Sequence, residues 1–284
     1  ERLWPISRSH MPKQFSRFLN GSSLLQETVM RNSHLCSKLM MVTGETQHFL
    51  AQTQLQEMGM MAPFLLEPFG RGTAPAITLA CLSLPPDEMV LMTPSDHHIG
   101  DLNAYKRAIT EAMERASQGR LVLVGIKPGW GETGYGYIHS RDGQVLGFHE
   151  KPTFETACEY VRSGDYYWNS GILMFRVSDL LEEMERWRPD VLSACRNAYQ
   201  AHQIDHNEEI PILQMGQLQA ASVDQTVQPQ QAVFNQPEPL QELSLASVAV
   251  CIRIPSESMA AIPAISVDHA VLEHCTRLDM VASD

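Results

Sequence analysis

The chain contains no run of eighteen apolar residues, so no segment reads as a membrane-spanning helix. Its opening residues, Glu1-Arg2-Leu3-Trp4-Pro5, lack the apolar stretch of a secretory leader. Cysteine is sparse and scattered. Cys36, Cys81, Cys158, Cys195, Cys251 and Cys275 form no C-x-x-C pair, so they read as buried thiols of a reducing cytoplasm rather than a zinc site or a disulfide framework. Positive charge is short as well. With 21 Lys and Arg against 33 Asp and Glu the formal charge is −12, which argues against a nucleic-acid surface, because a phosphate backbone demands clustered cations. A small phosphorylated substrate needs only local positive charge and stays open. G-x-x-x-x-G-K-[ST], G-x-S-x-G and H-E-x-x-H are all absent, which removes the P-loop, serine-hydrolase and zincin readings. What remains is ordinary globular composition, 44% hydrophobic and 19% charged over 284 residues, enough for a large core.

Along the chain, strand-like and helix-like segments alternate. Ser22 is placed to cap a helix through Leu24, Leu25, Thr28 and Val29, and Lys38–Val42 reads as a short buried strand. Thr46 opens a helix that closes near Gly59, Phe64–Leu66 is a strand, and 73–82 is a helix. The clearest unit runs from the apolar Glu88–Thr93 to a helix capped by Asp101. That helix has Tyr105, Ala108, Ile109, Ala112, Met113 and Ala116 on one face and Gly119 at its end. The strand Leu121–Ile126 follows. Strand, helix, strand with short links is a βαβ unit and predicts a mainly parallel sheet. Beyond it, Tyr135–His139 and Val145–His149 flank Arg141-Asp142-Gly143, a hairpin signal. Helices are expected over 155–162 and 178–187, the second stopped by Pro189. Residues 203–242, rich in Gln, Asn and Pro, read as irregular, with order resuming near Ile265. The chain reads as one large α/β domain over 1–284.

Several residues suit phosphate chemistry. The stretch Arg2-Leu3-Trp4-Pro5-Ile6-Ser7 followed by Pro12-Lys13-Gln14-Phe15 is a proline-bearing loop with two isolated cations. It is either a phosphate clamp or a solvated basic end. Asp96, in Thr93-Pro94-Ser95-Asp96-His97, ends an apolar strand, where open α/β sheets bind ligands. A carboxylate there is a Mg²⁺ ligand or a turn residue. His97 and His98 are adjacent, so their side chains diverge and they read as turn or packing residues. Thr73 and Ala74 begin a helix whose amides either hold an anion or are simply capped.

These segments, taken in order, resemble the sugar-phosphate nucleotidyltransferases, and among them the bacterial mannose-1-phosphate guanylyltransferases. The resemblance rests on the loop just described, on Glu67-Pro68-Phe69-Gly70-Arg71-Gly72-Thr73-Ala74-Pro75-Ala76, and on Thr93–His97. It continues through Glu132-Thr133-Gly134-Tyr135-Gly136-Tyr137-Ile138, Phe148-His149-Glu150-Lys151-Pro152, Tyr167-Trp168-Asn169-Ser170-Gly171 and Ile265–Glu273. Gly72 stands where the family usually has Asn, and His149 replaces a common Val. The Gly-rich half of the first loop and a Trp-x-Asp-x-Gly element would lie outside Glu1–Asp284.

The resemblance implies a Rossmann-like, mostly parallel sheet with an antiparallel sugar-binding subregion. It implies GMP transfer from GTP to α-D-mannose 1-phosphate in the cytoplasm, and it allows a homodimer. Another nucleotide and sugar pair, or a non-catalytic sugar-nucleotide binder, stays open. It assigns Lys13 and Arg2 to catalysis and Asp96 to Mg²⁺. Arg71, Thr73, Ala74 and Ser95 fall to the nucleotide, and Gly134, Tyr135, Glu150, Lys151, Asn169 and Asp268 to the sugar phosphate. Tyr137 and Trp168 read as readily as core aromatics, and Glu273 as a residue favouring a helix start.

Overall fold

The computed structural model describes residues 12–19, 21–205 and 251–283. Arg2 and almost all of the 203–242 stretch lie outside them. In chain order the elements are β1 (Arg17–Leu19), β2 (Ser22–Ser23), α1 (Leu24–Ser33), β3 (Met41–Gly44), α2 (His48–Glu57), β4 (Phe64–Glu67) and α3 (Thr73–Leu82). Then come β5 (Met89–Met92), α4 (Leu102–Ser117), β6 (Leu121–Ile126), β7 (Gly136–Arg141), β8 (Gln144–Glu150), α5 (Phe154–Ser163), β9 (Tyr166–Arg176), α6 (Val177–Trp187) and α7 (Pro189–Asp205). Last are β10 (Cys251–Arg253), α8 (Ser256–Ala260), a π turn over Asp268–Leu272, and β11 (Leu278–Ser283).

Local chemistry explains the boundaries. Ser23, not Ser22, caps α1, because Gln26 three residues on completes a reciprocal capping box with it. Asp101 caps α4 as expected, its Oδ1 accepting from the Asn103 and Ala104 amides. Tyr105, Ala108, Ile109, Ala112 and Ala116 face the sheet, whereas Met113 is exposed. Asp142 and Gly143 both adopt positive φ in the two-residue turn joining β7 to β8. Pro189 stops α6 but also begins α7, since the first helical position needs no amide donor. Regular elements, β10 and α8, already precede Ile265, where the sequence predicts order to return. All six cysteines are free, but only Cys81 and Cys195 are buried. Among the described residues no helix is long and apolar enough to cross a membrane.

The fold is mixed α/β. A three-stranded sheet, β10–β4–β3, is wholly parallel. A six-stranded sheet runs β5–β9–β6–β11–β8–β7, and there only β6 and β11 pair in parallel. The β5–α4–β6 unit is present, but its strands do not touch. β9 lies between them, antiparallel to both. The expectation of a mainly parallel sheet therefore fails for this sheet. Ile172 to Phe175 are all buried, as in a central parallel strand, and such a run does not encode direction. β7 also pairs with the first residues of β9, so β9, β6, β11, β8 and β7 close a ring of strand pairings. Leu121 and Leu123 point into one core with α3, α6 and α7, while Val122 and Val124 point into another with α4. The sheet is thus covered on both faces, and ligand chemistry is left to the strand ends and their loops.

Candidate active site

Lys13 and Asp96 meet. Lys13 lies in a 3-10 turn anchored by buried Phe15, whose carbonyl accepts from the Gln54 side chain. Asp96 follows the end of β5. Lys13 Nζ is 2.5 Å from Asp96 Oδ2, with side chains 42% and 25% exposed. The Asp96 loop is held from α1. Asn32 Nδ2 donates to Thr93 Oγ1 at 3.2 Å, Tyr105 Oη donates to Asn32 Oδ1 at 2.8 Å, and His98 Nδ1 lies 2.9 Å from Glu27 Oε2. His97 Nε2 is 3.8 Å from Asp96 Oδ1. Burial does most to lower the His97 pKa. Asp96 opposes this, while Arg31 and Lys13 reinforce it.

A second polar group sits beside this loop. A Cβ on Gly171 of β9 would stand 3.2 Å from Pro94 Cγ, so β9 passes directly under the turn before Asp96. Two residues earlier, Asn169 Nδ2 donates to Asp268 Oδ1 at 3.0 Å, and Asn169 Oδ1 accepts from the Gly171 amide. Burial, and then the neighbouring Glu150 carboxylate, raise the Asp268 pKa. Glu150 forms an ion pair with Lys151 and presses against Gly136, where a Cβ would come within 2.7 Å of Glu150 Oε2. The Gly134 amide donates to Glu132 Oε1. Tyr135, half-exposed, meets Trp168 edge-on at 5.4 Å, with Trp130 on the same indole at 4.7 Å. Tyr137 and Trp168 are buried and belong to the core. Asp268 opens a π turn, not a regular helix, and Glu273 closes it with its carboxylate beside His269.

The expected nucleotide residues are committed internally. Arg71 Nε and Nη2 donate to the Ile262 and Ala260 carbonyls. Thr73 Oγ1 accepts from the Val267 amide, and the Ala74 amide donates to the Ile265 carbonyl. Gly72, not Thr73, is the N-cap of α3. These bonds weld 260–268 to the start of α3 and so position Asp268. Ser95 lies in the turn between Pro94 and Asp96. Gly72 has φ 93° and ψ 174°, a region essentially restricted to glycine, and a Cβ there would lie 2.3 Å from the Ile265 carbonyl oxygen. Gly72→Ala is therefore expected to cost at least about 3 kcal/mol. Thermal unfolding should show the loss, with Gly70→Ala, where a Cβ meets nothing within 4 Å, as the near-silent control.

Two groups escaped the sequence reading. Arg31, on α1, is only 8% exposed. Glu67 ends β4 opposite Gly44, with Oε1 buried and without a hydrogen-bond partner. Burial lifts its carboxyl from 4.5 to about 7. Its position as the last residue of an apolar strand was the available signal.

The family model described as nucleotidyl transferase matches residues 1–210. The xanthan biosynthesis protein XanB of Xanthomonas campestris is 43% identical over 213 residues, covering 72% of this chain and 46% of that protein. A mannose-1-phosphate guanylyltransferase of Escherichia coli is 41% identical over 223 residues, covering 72% and 47%. The matched stretch thus spans about half the length of these relatives. Among solved structures, one titled mannose-6-phosphate isomerase, from Helicobacter pylori, superposes with a TM-score of 0.78 at 28% identity, over 98% of this chain and 94% of that one. One titled mannose-1-phosphate geranyltransferase, from Thermus thermophilus, gives 0.72 at 28% identity, over 99% and 70%.

Proposed function

The chain belongs to the nucleotidyl transferase family, and on that premise we propose that it transfers GMP from GTP to α-D-mannose 1-phosphate, giving GDP-mannose and pyrophosphate. The observation that carries the reading is the Lys13–Asp96 pair, set beside the Asn169–Asp268 and Glu150 group at the end of β5 and β9. The choice of guanine and mannose rests on similarity to relatives that carry that name.

An oxygen of the sugar phosphate attacks the α-phosphorus of the nucleotide in line. A new P–O bond forms as the bond to the pyrophosphate breaks, and no side chain is covalently modified. Charge grows on the equatorial and leaving oxygens, so catalysis consists of positioning and fixed charge. Lys13, freed from Asp96, provides that charge, and the family resemblance adds Arg2, which lies outside the described residues. Mg²⁺ is the divalent ion of choice, and Asp96 fits it, as a partly exposed hard carboxylate at a strand end. When bound it neutralises phosphate oxygens. Asp268 and Asn169 offer acceptors and a donor to sugar hydroxyls, while Glu150 and Lys151 face the sugar and its phosphate. Arg71, Thr73 and Ala74 act on the nucleotide mainly by fixing the 260–268 segment, with Ser95 on the Asp96 turn. Gly134 and Tyr135 border the sugar.

Pyrophosphate release measured for the four nucleoside triphosphates, each with mannose 1-phosphate and glucose 1-phosphate, tests this. GTP with mannose 1-phosphate should exceed every other pair by at least ~100-fold, a margin within reach of a site that hydrogen-bonds base and sugar groups. Turnover with UTP and glucose 1-phosphate while GTP is inert would overturn the assignment. Binding of GDP-mannose without turnover would make the chain a sugar-nucleotide binder instead.

A further inference from the structure

Arg31 is a cation the reaction scheme above does not use. Its side chain is buried between α1 and α4. Its guanidinium carbon lies 5.1 Å from the Tyr105 ring centroid, Nη2 donates to Thr28 Oγ1 at 3.2 Å, and it also bonds the Tyr105 oxygen. Its Nε is sealed from solvent without an acceptor. All of these partners are neutral. The carboxylate one turn earlier on the same face, Glu27, is turned to His98 instead. Among the described residues Arg31 makes no ion pair. A buried guanidinium without a counter-charge is costly by several kcal/mol, and such a charge is kept where something anionic completes it.

The surroundings indicate what completes it. Glu27 touches His98, Asn32 holds Thr93, and the charge of Arg31 is felt at His97, so this face of α1 lies against the loop that carries Asp96. Lys13 joins that loop from the other side. Two cations, Lys13 and Arg31, therefore reach this loop beside the carboxylates Asp96 and Glu27, in a chain of net charge −12. Nη1, unlike Nε, is not both sealed and unpartnered, so it is the edge of the guanidinium from which a further acceptor would be met.

We propose that Arg31 is a phosphate-binding residue, its Nη1 edge taking a terminal oxygen of the nucleotide's polyphosphate while Thr28 and Tyr105 hold the rest of the fork. This rests on the reading of the Lys13–Asp96 cleft as a nucleotide site. It adds a cation from α1 to those of the N-terminal loop. Arginine suits the task because its rigid fork holds protein oxygens with one nitrogen and a phosphate with another.

The test uses inorganic pyrophosphate as the probe, titrated calorimetrically into the chain and into two variants. Arg31→Met keeps the apolar stem and removes the buried charge, and Arg31→Lys keeps a charge but loses the fork. Arg31→Met should bind pyrophosphate at least ~10-fold more weakly without any loss of thermal stability, since an uncompensated charge has gone. Arg31→Lys should lose about 3- to 10-fold. Wild-type pyrophosphate affinity in either variant, once folded, would overturn the proposal, as would a drop in melting temperature with unchanged affinity, the mark of a purely structural arginine. Pyrophosphate carries neither base nor sugar. A wild-type chain that binds it through Arg31 yet does not use GTP and mannose 1-phosphate would therefore refute the proposed reaction and leave this inference standing.

Discussion

Asp96→Ala and Lys13→Ala are each expected to slow GDP-mannose formation by about 10³-fold while leaving the fold in place. The size follows from what the groups do. A fixed charge aimed at oxygens that gain charge during reaction contributes about 10²- to 10³-fold each, because it acts where water is partly excluded and needs no reorganisation. Asp96 adds the loss of the metal's anchor. The fold survives because the ion pair itself is partly exposed, 42% and 25%, and such pairs contribute only about 0–1 kcal/mol to stability. Melting temperatures should therefore stay near wild type. Chelation has the same sign: EDTA should abolish turnover and Mg²⁺ should restore it. Wild-type rates in either variant, or turnover indifferent to EDTA, would remove the corresponding role.

The parts of this molecule that were readable from sequence are those whose signal is local. The cap at Asp101, the apolar stripe of α4 and the turn at Asp142-Gly143 each follow from residues within one turn of one another. Lys13 and Asp96 each stand in a short proline-bearing motif, whereas their 2.5 Å contact is a product of the fold. What was not legible is non-local. The direction and position of β9 depend on which strands accept it, not on its own run of apolar residues. α7 was hidden because Pro189 ends one helix and begins the next.

The same distinction runs through the site. Thr73 and Ala74 read as ligand groups because they start a helix, but the partners that use them, Ile265 and Val267, lie nearly two hundred residues away. Nothing near Arg31 in sequence shows that Tyr105 covers it.

Glu67→Gln is expected to stabilise the protein at pH 8 and to leave it unchanged near pH 5. Burial alone raises the Glu67 carboxyl from 4.5 to about 7, with one oxygen sealed and unbonded. A carboxyl whose folded pKa lies above its unfolded one is held in its neutral form by the fold. Between about 4.5 and 7 the unfolded chain has already released a proton that the native protein keeps, so stability falls as pH rises through that window. Above about 7 the whole cost of an ionised, desolvated carboxylate is present, and below 4.5 none of it is. At ~1.36 kcal/mol per pH unit the displacement sets a ceiling of roughly 3 kcal/mol. Residual solvent contact at the other carboxylate oxygen lowers the expectation to about 1–3 kcal/mol. Glutamine matches the neutral acid in shape and removes the ionisation. The melting temperature of the variant should thus exceed wild type by about 2–8 °C at pH 8, converging with it by pH 5. An equal gain at both pH values would trace the effect to packing rather than charge. A loss at pH 8 would mean that the Glu67 carboxylate is stabilised by a partner that its sealed oxygen lacks.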